Sequence, residues 1–458
     1  MRLGIARDVV RRPHRDAVRL AIILLLGLGA RLALAPHGGF AGDAQSFRRW
    51  AVALVQLPLG DFYASISNAD HLPGDLWLLW GVAHLYHLVS PEMDVQGAGF
   101  LFLLKLVPAL ADAGVGAMLF VIARQLAGAR AGLLAAAGYV FNPAVIFLSA
   151  TWGQWDAVSA FVMTVALWLL LRGDLAWALP VLSYATLIKP QIALLFPLLA
   201  LACWRWSRDG AVVGAPRGFR PWQPVRLALG ALASLALFLA LSLPFGVGLP
   251  LMGTRWNIVE RLSFALNRYQ SVSLNAFNLW GILGHAGAGQ IVNDRRPFLL
   301  GVSYHIWGEF LFALAALGAL ALFAWRPGRL MALWAAFALF FAAFMLPTRV
   351  HERYLLPALV LGIALAAVVP AMRWLVAALS LTYLVNIVAV YRLSDAFGFR
   401  SASPRVDELV LLVSAVNLFL LLVSYAYGVA LARAGEQDEA TATRRASGQV
   451  VTVAKGQG

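Results

Sequence analysis

Asp75-Leu-Trp-Leu-Leu-Trp-Gly-Val-Ala-His-Leu-Tyr-His-Leu-Val89 is the stretch on whose reading the fold turns. It is apolar, but only 15 residues long and interrupted by His84 and His87. A helix needs about 20 apolar residues to cross a bilayer. An interfacial or re-entrant helix therefore suits these residues better. Charge supports that choice. With 75–89 left non-spanning, one side of the membrane receives Arg124, Arg130, Arg172, the segment 205–226, Arg326, Arg329, Arg373 and both termini. That side carries 21 Lys/Arg against 7 Asp/Glu, and the remainder carries 15 of each. The whole excess of +14 thus falls on one face, as expected of cytoplasmic loops. Reading 75–89 as a span reverses most of those loops.

Outward from this point the chain is a succession of apolar runs. It has 458 residues, 61% hydrophobic and 13% charged, with a mean hydropathy of +0.77. A soluble protein keeps roughly a quarter of its residues charged. The expected fold is all-α: a polytopic integral membrane protein of about twelve transmembrane helices, with surface helices in the first outer loop. The expected spans are 17–35, 100–123, 131–149, 157–171, 175–188, 191–204, 227–243, 300–324, 330–346, 355–372, 374–391 and 408–431. They form one transmembrane domain over 1–431, with outer loops at 36–99, 244–299 and 392–407. A polar, disordered cytoplasmic tail is expected over 432–458. The arginine-rich start resembles a signal peptide, but its apolar run is long and lacks an evident cleavage site, so it reads as a first span with its amino end inside. The localisation that follows is a cell inner or plasma membrane, multi-pass. Cys203 is the only cysteine, which excludes an intramolecular disulfide and a cysteine-rich metal centre. The basic balance serves membrane topology, so nucleic acid is not an expected partner and the lipid bilayer is.

Four polar constellations fall on the outer face. The first is Gly42-Asp-Ala-Gln-Ser-Phe-Arg-Arg-Trp50. On a helix, Asp43, Phe47, Trp50 and Leu54 share one side while Arg48 and Arg49 turn away. Asp43 reads either as a helix N-cap or as a carboxylate held at the membrane surface beside aromatic rings. The second, Thr151-Trp-Gly-Gln-Trp-Asp156, adds Gln154 and Asp156 to tryptophans that suit either an interfacial belt or stacking on a sugar. In the third, Lys189-Pro-Gln191, proline breaks the helix beside a point charge that can meet a lipid phosphate or snorkel to the interface. The fourth is Pro347-Thr-Arg-Val-His-Glu-Arg-Tyr-Leu-Leu-Pro357, with Arg349, His351, Glu352 and Arg353. Arginine recognises phosphate bidentately, and ionisable groups at membrane depth mark functional sites. The loop 244–299 adds Arg261, Arg268, Tyr269 and Ser273-Leu-Asn-Ala-Phe-Asn-Leu-Trp280, whose Asn275 and Asn278 suit a carbohydrate or headgroup pocket.

These motifs resemble the GT-C superfamily of polytopic glycosyltransferases that use polyprenyl-phosphate sugars. The chain is most similar to the dolichyl-phosphate-glucose-dependent glucosyltransferases of N-glycan assembly and to related bacterial mannosyltransferase-like proteins. Gly42-Asp43 through Trp50 keeps the spacing of that family's first-loop Gly-Asp-(Phe/Tyr)-Glu-Ala-Gln-Arg-His-Trp motif. His351-Glu352-Arg353 looks like its late His-Glu-Lys motif, and Lys189-Pro-Gln191 like its Lys-Gln pair between short spans. The resemblance implies that Asp43 is the catalytic carboxylate, while the charges of Lys189, His351, Arg353 and Arg349 are themselves the expected donor-phosphate ligands. The polar constellations themselves make Trp152, Gln154, Asp156, Gln191, Glu352, Asn275 and Asn278 the expected substrate contacts. Gln45 stands where the family has a second acidic residue, so no carboxylate pair is implied there. A divalent metal is compatible with such a site but not indicated, and no cofactor is expected.

The expected activity is transfer of a hexose, mannose or glucose, from a polyprenyl-phosphate sugar to a hydroxyl of a lipid, glycan or protein acceptor outside the cytoplasm. A twelve-span transporter or flippase of a lipid-linked or small polar substrate is the alternative. The two differ in whether polar span residues such as Asp112 line a continuous pore.

Overall fold

The computed structural model describes residues 4–36, 38–208, 224–283, 292–395, 398–399 and 404–446. The described chain is helical almost throughout, with three two-stranded pairs of two or three residues per strand in its loops. Six described helices are long and apolar enough to cross a membrane: His14–Leu34, Ala98–Ala127, Val225–Phe245, Tyr304–Trp325, Pro370–Arg392 and Asp407–Ala434. Ala129–Val140 and Pro143–Trp152, bent by 45°, make a seventh if taken as one broken span.

Twelve spans are expected, and the remaining ones fall on shorter segments. Most of the other apolar segments form short helices, including Leu175–Ile188 of 14 residues and Arg329–Met345 of 17. At 1.5 Å per residue the former is about 21 Å long, against a hydrocarbon core of about 30 Å. Leu175–Ile188 is buried on one side and exposes Trp177 on the other, whereas two of the short helices lie inside the protein. Arg329–Met345 is apolar all round, and nearly every residue from Met331 to Met345 is buried. Leu356–Val368 beside it is buried from Leu356 to Leu365. A helix apolar on every side belongs in a core, and this pair forms its centre. Of the long helices, His14–Leu34, Val225–Phe245 and Tyr304–Trp325 lie on the outside, with Leu25, Leu229 and Leu314 among their exposed apolar side chains.

Residues 75–89 fall within the helix Pro73–Val89, which is not among the helices fit to span. It pairs with Ala41–Gln56 to fold the first loop around its own apolar cluster, including Phe47, Trp50, Leu54, Tyr63, Leu76, Leu79 and Trp155. At the other end of the chain, helix continues to Ala446, past residue 432 where a disordered tail is expected. Residues 447–458 lie outside the described residues, as do 284–291 of the loop 244–299 and much of the expected loop 392–407.

Candidate active site

Asp43 lies in the first turn of Ala41–Gln56 and does not cap it. The N-cap is Phe40, whose side chain makes no capping bond. The Asp43 carboxylate instead points across to the second constellation. Its Oδ2 accepts from Trp152 Nε1 at 2.8 Å and from Gln154 Nε2. Phe47, Trp50 and Leu54 are buried along one side of the helix, while Arg49 faces outward.

The backbone that presents Trp152 and Gln154 is unusual. After Asn142 caps Pro143–Ile146, the chain widens into a π-type turn over Phe147–Trp152, a feature frequent at functional sites. Gly153 closes that turn at φ +91°, a left-handed conformation that glycine adopts without strain. The Gly153 and Gln154 amides then both donate to the Leu148 carbonyl at 3.1 Å. Lys105, almost fully buried, braces the turn by donating to the Gly38 and Thr151 carbonyls, each at 3.3 Å.

Asp156 and Lys189 meet because the helices Asp156–Arg172 and Leu175–Ile188 pack as a hairpin turned at Gly173. The start of one and the end of the other then share one end of the bundle. Lys189 Nζ is paired with Asp156 Oδ1 and lies 5.3 Å from the Tyr354 ring centre. Arg353, from the turn before Leu356–Val368, places Nε 3.9 Å from Asp156 Oδ2 and donates to Glu352 Oε1 at 3.2 Å. Both Arg353 Nε and Asp156 Oδ2 are buried without a hydrogen-bond partner. His351 Nδ1 is 3.9 Å from Glu352 Oε2, and its ring packs edge-on to Tyr269 and Tyr354.

Burial dominates the electrostatics. It pushes the Lys189 ammonium down, with Asp156 pulling it partly back. It also lowers His351 well below the usual imidazole range, helped by the Arg353 and Lys189 charges, so that ring is neutral at pH 7. Glu352 is raised by burial against the pull of Arg353. The Arg353 guanidinium is held protonated, because Glu352, Asp43 and Asp156 outweigh its desolvation. The Tyr354 phenol is pushed up to about 12 by burial. Asp43, Asp156, Lys189, His351, Glu352 and Arg353 therefore form one cluster in which carboxylates and cations alternate.

Other expected site residues lie differently. Arg349 is turned away and locked: its Nε and Nη2 hold the two oxygens of fully buried Asp294 at 2.6 and 3.2 Å, and Nη1 bonds Asn267 Oδ1 at 2.8 Å. No free donor arm reaches the cluster from it. Asn278 is fully buried and caps Leu279–Ile282, accepting from Trp280 N and donating to the Phe344 carbonyl, each at 3.1 Å. Its amide is occupied by the fold at both ends. Asn275, at φ +70°, borders His351 through a backbone bridge and receives Asn386 on its carbonyl. Gln191 is half-buried in the tight turn after Lys189.

Sequence reading missed His71 and Asp75, bonded Nδ1 to Oδ2 at 2.5 Å beside this cluster. The signal for them was an i, i+4 spacing hidden by Pro73, which opens the helix between the two. Among the described residues, no group of three or more His, Cys, Asp or Glu is arranged to hold a metal ion.

No family model and no curated protein matches the sequence. Among solved structures, the chain is similar to the Archaeoglobus fulgidus oligosaccharyltransferase in its apo form, at 14% identity over 91% of this chain and 56% of that one, with a TM-score of 0.46. For the same enzyme tethered by a disulfide to an acceptor peptide containing the NVT sequon, identity is again 14%, over 91% of this chain and 55% of that one, with a TM-score of 0.47. The chain spans a little over half the length of that enzyme.

Proposed function

We propose that the chain is a membrane glycosyltransferase that moves a hexose, mannose or glucose, from a polyprenyl-phosphate sugar to an acceptor hydroxyl. The site lies on the outer face, and the short apolar helices complete twelve passes with both termini in the cytoplasm. The observation that carries this reading is the convergence of Asp43 with Lys189 and Arg353 from segments more than a hundred residues apart. A carboxylate beside buried cations is what attack on a sugar carried by phosphate requires. The motif resemblance points the same way.

In the proposed reaction Asp43 takes the acceptor's hydroxyl proton, as a positioned general base. The acceptor oxygen forms its bond to the anomeric carbon as the bond from that carbon to the phosphate oxygen breaks. The electron pair leaves on the phosphate, and the anomer inverts. Arg353 Nε, a buried donor without a partner, and Lys189 are the groups that stabilise the charge developing there. Neutral His351 contributes a hydrogen bond to the same phosphate. Trp152 and Gln154 hold the base in place, and Gln191 and Asn275 flank the substrates.

One geometry weighs against transport. Asp112 is fully buried, bonded by Arg31 Nε at 2.7 Å and by the Tyr139 hydroxyl at 2.6 Å, and so lines no pore. The test is the purified protein in liposomes, given polyprenyl-phosphate mannose, glucose or arabinose with lipid and peptide acceptors. Release of polyprenyl phosphate with glycosylation of one acceptor class is expected. Intact donor in every combination would overturn the reading.

A further inference from the structure

His71 and Asp75 are a charged pair beside the cluster to which the mechanism above gives no role. They sit where the first loop docks on the bundle. Gly74, between them, lies so close to the end of Leu175–Ile188 that an added Cβ would be 2.5 Å from the Leu187 carbonyl carbon and 2.7 Å from Ile188 N. The residue after Ile188 is Lys189. The His71 ring is also held by Phe47 at 5.8 Å and Trp50 at 4.7 Å, both edge-on, and Phe47 in turn packs on Trp155 at 5.1 Å. Phe47 is one helical turn beyond Asp43, and Trp155 precedes Asp156. His71 is therefore wedged between the two halves of the proposed site.

Its partner determines its state. The Asp75 side chain is 6% exposed and its other oxygen, Oδ1, is buried without a hydrogen-bond partner. A buried carboxylate whose bonding runs through one imidazole calls for a counter-charge there. Burial opposes that charge but Asp75 prevails, so His71 keeps its proton above the usual imidazole range. The neighbouring charges are mixed. Asp70 on the same loop favours the imidazolium and Lys189 opposes it, while Tyr63 donates to the His71 backbone carbonyl at 2.8 Å and Tyr184 faces Asp75. Asp70 is itself paired with Arg268 at 3.6 Å. With Nδ1 taken by Asp75, the Nε2–H is the bond His71 has left to give.

We infer that His71, oriented by Asp75, is a phosphate-binding cation that grips the lipid phosphate from the first-loop side, opposite Lys189 and Arg353. The inference rests on the proposed glycosyl transfer and adds a ligand that no motif assigns. It makes closure of the loop on the bundle part of donor binding, since the phosphate would bridge the two. Rising pH removes this grip: the bond is present while His71 is charged and is lost as pH climbs through its raised pKa.

The test uses the full-length protein in detergent with a short-chain polyprenyl phosphate alone, measured by titration calorimetry between pH 7 and 9. A hydrogen bond to a charged group corresponds to roughly tenfold in affinity or more. Wild type should therefore weaken by about that factor as pH rises through the raised pKa of His71. His71→Gln should bind about tenfold more weakly at pH 7 and lose most of the pH dependence, leaving the part due to Lys189. Asp75→Asn keeps the ring but removes its counter-charge, and should move the transition to lower pH, which keeps the test decisive if His71→Gln folds poorly. Wild-type affinity and pH profile in His71→Gln, or an unmoved transition in Asp75→Asn, would overturn the inference alone. Failure of wild type to bind polyprenyl phosphate at any pH would overturn the glycosyl-transfer reading and this inference with it.

Discussion

Replacing Asp156 by asparagine takes away the carboxylate that lies between Lys189 and Arg353. The pair with Lys189 is well sheltered, with side chains 17% and 2% exposed. Breaking a buried pair by removing one partner costs about 3–5 kcal/mol, chiefly because the other charge is left uncompensated. Lys189 keeps some access to solvent, so the lower end, about 3 kcal/mol, is expected for Asp156→Asn. Arg353 retains Glu352 at 3.2 Å and adds little to that loss. Adding Lys189→Met removes the stranded charge, and a buried pair replaced by neutral groups of similar size is often close to neutral. The double variant should then recover about 2–3 kcal/mol, a coupling in the range seen for residues in direct contact. The assay is a double-mutant cycle of unfolding in mixed micelles, paired with turnover of the lipid-linked donor. Stability should return in the double variant and turnover should not, because the phosphate ligand has gone. A loss below about 1 kcal/mol in Asp156→Asn, or a double variant no more stable than the single, would refute the reasoning.

Further outcomes follow from the same geometry. His351 has a folded-state pKa below its unfolded value, so its contribution to stability is complete above about pH 6.5 and is lost as pH falls toward the lowered pKa. Wild type should consequently lose thermal stability between pH 6.5 and 5 more steeply than His351→Asn, and equal slopes would contradict this. Gly74→Ala forces a Cβ into backbone at 2.5–2.7 Å. Overpacking of this kind costs about 1–3 kcal/mol, and a raised donor KM should accompany the lower unfolding midpoint; wild-type values for both would show that the loop does not dock there. Reporter fusions should place residues 60 and 270 outside and 127 and 440 inside, and an inside signal at 270 would separate the site from the outer face.

What the sequence discloses and what it hides divide along physical lines. Polar residues interrupting apolar runs are conspicuous, and for that reason Asp43, Gln154, Asp156, Lys189 and Glu352 can be picked out singly. Their meeting depends on long-range packing, such as the hairpin at Gly173 that brings Asp156 to Lys189, and no local spacing encodes it. Arg349 and Arg353 look alike in one short motif. They part because Arg349, at φ +63°, turns back onto Asp294, a buried residue in a loop that no pattern marks. Asn278 has the composition of a sugar ligand, yet a buried cap requires the same amide. The count of spans is not settled at Arg329–Met345 and Leu175–Ile188, helices too short for the length test, since hydropathy does not distinguish a helix buried in protein from one bathed in lipid. His71 and Asp75 straddle a loop-to-helix boundary, where neither helical nor strand periodicity applies.

The measurement closest to the central claim is turnover by Asp43→Asn with a polyprenyl-phosphate sugar and its acceptor. Both bonds to this carboxylate fall on Oδ2, and asparagine keeps an acceptor oxygen for Trp152 and Gln154, so the fold and donor binding should survive. A carboxamide cannot take the acceptor's proton. Turnover should therefore fall by roughly 10²–10⁴-fold with donor affinity largely retained. Near wild-type turnover would contradict the account, since Asp43 would then hold Trp152 and Gln154 in place without serving as the base.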